Sequence, residues 1–293
     1  MEHHIFKKGE DTIVEGIAHF DLGSTLDCGQ CFRWDRNDDN DYTGIAYGKV
    51  VRVVQKNDTL IFMKSTIEDV QSTWYEYFDL GTDYGAIKNT LSENDPVMAQ
   101  AVQFAPGIRL LRQPVFETLV SFIISANNSI PNIKRVISAM SRMWGERVIY
   151  DDREYFSFPD ARTLAKSEVC DLKLTKAGYR CDYIKKTSEA FSLNPVSKDS
   201  LASMEYSMAK KKLMEFTGVG AKVADCTILF TGSNYRAFPV DVWIKIIMEK
   251  LYIGKETAVS HIGDAAYQLF GDLAGYAQQY LFHYARMNRI GKD

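Results

Sequence analysis

Lys222 and Asp241 are the residues whose types and spacing could do chemistry: an amine that can attack an electrophile and, 19 residues on, a carboxylate that can take its proton. They belong to the stretch LMEFTGVGAKVADCTILFTGSNYRAFPVD, Leu213 to Asp241. Thr217-Gly218-Val219-Gly220 is too short and too glycine-rich to continue a helix, yet apolar-periodic residues flank it on both sides, which predicts two helices joined by a tight hairpin. Glycines let a foreign backbone approach, and the N–H groups opening the second helix point outward as anion donors, so the natural ligand of such a surface is a nucleic-acid phosphate. Lys222 falls in the first turn of that second helix, where the helix dipole disfavours a positive charge. Lys222, Cys226 and Phe230 recur at four-residue intervals and share one helix face, so an amine, a polarisable thiol and an aromatic ring are expected to line one pocket. Each also has an ordinary reading: a solvated lysine, a small core cysteine, a core phenylalanine, and a Gly-x-Gly that is only a turn. Asp241 follows Pro239-Val240 and precedes the apolar run Val242 to Ile247, which predicts an N-cap for the next helix. Its charge could also receive the proton of an attacking amine and support a positive centre.

Elements must position these groups, and composition bounds what they are. At 293 residues and 46% hydrophobic content the chain can bury a substantial core in one or two domains. No apolar run approaches the roughly 18 to 20 residues of a membrane span, and no charged-then-apolar leader opens the sequence. Five cysteines without a dense or even framework fit a reducing compartment. The expectation is a soluble, intracellular monomer, in the cytoplasm or nucleoid if bacterial. Cys28-x-x-Cys31 has no second pair at ligand spacing, so no metal is expected there. The net charge of −3 hides a division: residues 1–100 carry 9 Lys/Arg and 18 Asp/Glu, the remainder 26 and 20. A polyanion would therefore dock on the later two-thirds, where Lys210-Lys211-Lys212 precedes the hairpin.

Short β-branched runs punctuated by turn residues occupy the first 65 residues: Thr12 to Val14, Cys31 to Trp34, Thr43 to Tyr47, Val50 to Val54 and Thr59 to Met63. Beyond them the pattern becomes helix-periodic, with helices expected near 66–78, 97–103, 115–126, 131–144, 181–192, 208–216, 222–231, 242–251, 258–270 and 274–287. Asp95-Pro96 and Gln113-Pro114 read as helix starts. The fold class is α+β: a small N-terminal antiparallel β-sheet domain with a few helices, residues 1–107, followed by a mostly helical domain, 108–293, carrying the helix-hairpin-helix.

GVGAKVADC followed by FPVDV resembles the HhH-GPD superfamily of DNA base-excision glycosylases, and further segments from about Phe20 to Tyr284 make the chain similar to its Ogg-type 8-oxoguanine glycosylases. The resemblance implies that duplex DNA carrying oxidised guanine is the partner and that one nucleotide is flipped out of the helix. Lys222 would attack C1′ of the deoxyribose, release the base and leave a Schiff base open to β-elimination, with Asp241 supporting the amine and the cationic sugar. Gly29, in LDCGQCFRW, would accept the N7–H that only the oxidised base carries. Phe282 and Cys226 would sandwich the ring, Gln278 would read its pairing edge, and Phe230 and Pro239 would complete the pocket. Asn127, followed by Asn128, would fill the gap in the duplex, while Tyr179 wedges beside the orphaned partner base and Arg180 contacts it. Gly218, Val219 and Gly220 would meet phosphate, and carbonyls of Met214, Phe216 and Val219 would hold a structural cation bridging to DNA. No cysteine follows Cys226, so the iron–sulfur cluster of several relatives has no ligands here and no cofactor is expected. Three positions depart from the pattern: Asn132 stands where an arginine helps select cytosine, Trp243 where a histidine is common, and Ser129 replaces an asparagine. Two rival readings remain at this point, a glycosylase of the same superfamily for alkylated bases, and a non-catalytic hairpin module that binds DNA.

Overall fold

The computed structural model describes residues 3–291. The alternating segments form one antiparallel sheet of β1 (His4–Lys8), β2 (Asp11–Glu15), β3 (Trp34–Asp38), β4 (Asp41–Ala46), β5 (Lys49–Lys56) and β6 (Thr59–Met63), in the order β1-β2-β6-β5-β4-β3. Ala46 pairs with Lys49, so only Tyr47 and Gly48 turn the chain; both have positive φ, 52° and 73°, the type I′ geometry that matches strand twist. Val14, Trp34, Val51, Val53, Leu60 and Phe62 pack with Trp74, Tyr77 and Phe78 on one face of the sheet. Gly44 makes room for this cluster, since a β-carbon there would sit 2.2 Å from the Trp34 ring.

The expected strand over Cys31 to Trp34 is corrected: only Trp34 enters a strand. The physical reason is Gln30, fully buried, whose Nε2 donates to Thr25 O (2.9 Å) and Arg109 O (2.7 Å) while its Oε1 accepts Leu111 N–H (2.9 Å). Those bonds hold the segment against the interior rather than in the sheet ladder. Thr25 belongs to α1 (Leu22–Asp27), which the sequence reading missed.

Helices make up most of the remainder. α2 (Tyr84–Ser92) and α3 (Pro96–Phe104, capped by Asp95) lead to α4 (Val115–Ser125), α5 (Ile130–Trp144), α6 (Arg180–Leu193), α7 (Tyr206–Met214), α8 (Ala221–Phe230), α9 (Val242–Met248), α10 (Val259–Phe270) and α11 (Ala274–Met287). The expected helix near 242–251 ends its α-helical part at Met248 and continues as a π-turn over Glu249–Ile253. The helix expected near 66–78 forms over residues 67–77, with a π-turn at Val70–Trp74 between short α-helical ends. Short helices at Ala161–Lys166, Val169–Leu174 and Lys198–Ser203, a 3-10 turn at Gly271–Leu273, and a hairpin of β7 (Arg147–Tyr150) and β8 (Arg153–Phe156) complete the described elements. The helical core includes Tyr84, Leu91, Met98, Ala101 and Ala105, whereas Leu111 packs with the sheet cluster. Arg109, fully buried, ties the two cores together by donating to Ala18 O (2.7 Å) and Asp79 O (2.6 Å) with its guanidinium 4.4 Å from the Tyr84 ring. No helix among the described residues is long and apolar enough to cross a membrane.

Candidate active site

The hairpin forms as its glycines require. Gly218 has φ +82°, and its missing side chain lets Tyr183 press onto the backbone, 2.6 Å from where a β-carbon would be. Thr187 donates to Thr217 O (2.7 Å) and Val219 N–H to Phe216 O (3.1 Å), which fix the turn from both sides. Val219 is buried, so it contributes backbone and packing rather than an exposed side chain. Gly220 caps α8 with no side chain and with open space around its α-carbon, leaving the first-turn N–H groups of a ten-residue helix uncapped by any side chain. Lys210 and Lys212 are not free for a polyanion. Lys210 pairs with buried Asp225 (2.8 Å) and Lys212 with Glu215 (2.7 Å).

One turn into α8 the chain enters a small cleft lined by Gly29, Phe122, Lys222, Cys226, Phe230, Pro239, Asp241, Gln278, Gln279 and Phe282. Every residue expected in the base pocket lies there, drawn from the turn after α1, from α8, from the start of α9 and from α11. Four-residue spacing places Lys222, Cys226 and Phe230 in file, and α4 closes the wall: the Phe122 and Phe230 rings stack 5.3 Å apart. Lys222 Nζ lies 5.2 Å from the Phe122 ring and donates to Ser125 Oγ at 3.3 Å. Phe122 and Ser125 were not singled out from sequence, because α4 is apolar nearly throughout and nothing marks which residues face α8.

Asp241 is the N-cap of α9, accepting Ile244 N–H at 2.8 Å. Burial pushes its carboxyl above the usual aspartate range, opposed by that hydrogen bond and by the charge of Lys222. Burial likewise pushes the Cys226 thiol up to about 12 despite Lys222 nearby, so the group is a neutral, polarisable surface. Gln278 Nε2 donates to Pro239 O (3.1 Å), while its Oε1 is buried with no hydrogen-bond partner among the described residues. A buried acceptor left unpaired costs about 1–3 kcal/mol, so a pocket that keeps one gains when a ligand donor arrives. Gly29 sits at φ +89°, and its turn is held by Gln279 Nε2 on Cys28 O (3.4 Å) and Gln113 Nε2 on Gln30 O (2.8 Å). Gln30, Gln113 and Gln279 are functional supports that sequence reading did not find, since only long-range closure reveals them.

The residues expected beside the partner base form a separate cluster. Asn127 follows α4 in the left-handed region (φ 48°). Asn128 Nδ2 donates to Ile124 O (3.0 Å), and its Oδ1 accepts from Asn132 Nδ2 (2.7 Å), whose own Oδ1 accepts from Arg135. Arg180 is buried and its guanidinium donates to the carbonyls of Ala126, Asn127 and Ala177. It thus buttresses the Asn127 turn. Tyr179 is 56% exposed, with its ring 4.4 Å from that guanidinium. Trp243, in the first turn of α9, packs partly buried against the helical core. Among the described residues no group of three His, Cys, Asp or Glu side chains is placed to hold a metal.

Residues 12–119 match the family described as 8-oxoguanine DNA glycosylase, N-terminal domain. A probable N-glycosylase/DNA lyase of Methanothermobacter thermautotrophicus is 31% identical over 73% of this chain and 74% of its own length, and the N-glycosylase/DNA lyase of Arabidopsis thaliana is 27% identical over 89% and 76%. The crystal structure of Clostridium acetobutylicum 8-oxoguanine glycosylase/lyase, bound to double-stranded DNA with cytosine opposite 8-oxoguanine, superposes with a TM-score of 0.94 at 41% identity, covering 98% of this chain and 99% of that one. With the hairpin, the amine and the carboxylate converging on one cleft, the chain belongs to the Ogg-type 8-oxoguanine DNA glycosylase family of the helix-hairpin-helix superfamily.

Proposed function

We infer that the cleft excises 8-oxoguanine from duplex DNA and then cuts the strand at the abasic sugar. The observation that carries this reading is the placement of Lys222 and Asp241 in the same cleft as Phe282 and the unpaired Gln278 Oε1. The flipped base stacks on Phe282 with Cys226 on its other face. Gln278 Oε1 accepts the donors of the pairing edge, and the Gly29 carbonyl accepts N7–H. Lys222 Nζ forms a bond to C1′ as the bond from C1′ to the base nitrogen breaks, and the base leaves with its electron pair and takes up a proton. Asp241 receives a proton from the attacking amine and stabilises positive charge on the sugar. The sugar ring opens to a Schiff base, loss of a C2′ proton expels the 3′ phosphate, and water then frees Lys222.

No step draws on a cofactor. The Met214, Phe216 and Val219 carbonyls lie at the C-terminal end of α7 and in the hairpin, where the helix dipole favours a cation; Phe216 O already accepts one N–H and keeps a second lone pair. They fit a cation that would supply positive charge beside a DNA phosphate, next to the uncapped first turn of α8. The cleft draws on one copy of the chain, so a monomer suffices, and five free cysteines suit a reducing intracellular setting.

Borohydride reduction on a duplex carrying 8-oxoguanine tests this. The parent protein is expected to give a covalent protein–DNA adduct, and Lys222→Gln is expected to bind the lesion but give neither adduct nor excision, a loss on the order of a thousandfold or more. Full excision by Lys222→Gln would end the Schiff-base reading. A glycosylase that activates water, or a binding module, would not be trapped.

A further inference from the structure

Arg286, one turn after Phe282 on α11, touches both walls of the cleft from behind without lining it. Its guanidinium carbon lies 5.4 Å from the Phe282 ring centroid, a cation–π distance. Nη2 donates to Asp27 O at 3.0 Å, the last residue of α1. Nη1 lies 3.1 Å from the point where a β-carbon on Gly29 would stand, and it is buried with no hydrogen-bond partner among the described residues. One planar group therefore spans the stacking ring and the turn that faces the edge of the base. A lysine, with a single ammonium, could hold one of these contacts but not the fork.

We propose that Arg286 is a positioning residue for lesion recognition, setting the spacing between the Phe282 ring and the Gly29 turn so that a flipped base meets both at once. This also explains glycine at position 29 twice over, by its φ of +89° and by the nearness of the guanidinium. The chemistry at Lys222 and Asp241 belongs to α8 and the cap of α9 rather than to α11, so Arg286 bears on which base is accepted rather than on the attack itself. The inference rests on the cleft being the lesion pocket.

The test compares two duplexes under single-turnover conditions, one with 8-oxoguanine and one with a preformed abasic site that needs no base recognition. Arg286→Met is expected to slow lesion excision by about tenfold to a hundredfold, and abasic-site cleavage by at least about tenfold less than that; Arg286→Lys should fall between parent and Met. Because Arg286 acts through the ring, the loss should largely vanish when Arg286→Met is made in a Phe282→Leu background, where independent structural damage would instead add. Equal losses on both duplexes, full additivity with Phe282→Leu, or parental excision by the Met and Lys variants would each overturn the proposal. Failure of the parent protein to excise the lesion would bring down the pocket reading along with it, and so is distinguishable from failure of the Arg286 role alone.

Discussion

The proposed lesion pocket and the proposed partner-base cluster handle their polar atoms in opposite ways. In the pocket Gln278 keeps a buried oxygen with no hydrogen-bond partner among the described residues, a cost that a flipped base would relieve. In the partner-base cluster Asn128, Asn132 and Arg135 form a relay that ends on Ile124 O, and Arg180 is spent on backbone carbonyls. A group that must break one hydrogen bond to make another gains little net energy from the exchange. On the proposed reading the pocket is built to discriminate and the partner side mainly to hold shape, with Tyr179 as its exposed surface.

The sharpest way to break the pocket side is Asp241→Asn. Excision should fall about a hundredfold to ten-thousandfold, as for loss of a general base. Asparagine caps a helix about as well as aspartate. A carboxyl raised by burial binds its proton more tightly folded than unfolded, so its ionisation works against the fold above its folded pKa, and that burden lifts as pH falls through it. Thermal unfolding at neutral pH should therefore show Asp241→Asn at least as stable as the parent. The parent should lose activity on the acid side above the ordinary aspartate value of 3.8, and the variant should lack that limb; a limb that survives in Asp241→Asn would assign it elsewhere.

Gly29→Ala should cut lesion excision by about tenfold to a hundredfold, the worth of one hydrogen bond and the penalty of leaving it unmade. The new methyl faces both the strain of positive φ and the Arg286 guanidinium. Excision at the parental rate would show that Gly29 is not the reader. The smallest effect concerns the partner base: the parent is expected to prefer cytosine only modestly, and Asn132→Arg should sharpen that preference by about fivefold to tenfold, the low end for a bidentate contact. Single-turnover excision from four duplexes differing only in the opposite base checks it. A strong preference in the parent would mean that another guanidinium, with Arg135 the nearest to Asn132, already performs the selection.

What the sequence disclosed follows the range of the interactions involved. Lys222, Cys226 and Phe230 were legible because four-residue spacing on a helix is local geometry, and Asp241 because an N-cap before an apolar run has a local signature. Tyr84–Ser92, Ala161–Lys166 and Lys198–Ser203 escaped because their apolar residues are few, although their capping Asp83, Asp160 and Ser197 were visible signals. β1 and β3, largely polar and at the two edges of the sheet, lack the alternation that marked β2, β4, β5 and β6, and the strands β7 and β8 are too short to show it. Arg286 and Gln30 could not be placed at all. Their importance lies in contacts to residues far away in the chain, and a lone arginine or glutamine carries no pattern.

The Gly29 turn is joined to α11 by the bonds of Gln279 to Cys28 and Arg286 to Asp27, across 251 and 259 positions of chain. Contacts this far apart in sequence are slow and entropically costly to close. Synthesis delivers the Gly29 turn long before α11, with the hairpin and its lysine between them. A chain still emerging, or one whose carboxyl end has come undone, holds a reactive amine but has no assembled surface on which to judge a base. On the proposed reading both surfaces that would judge a base, the Gly29 turn and the Phe282 ring, depend on α11 being docked, so competence to select a base would arrive only with that docking.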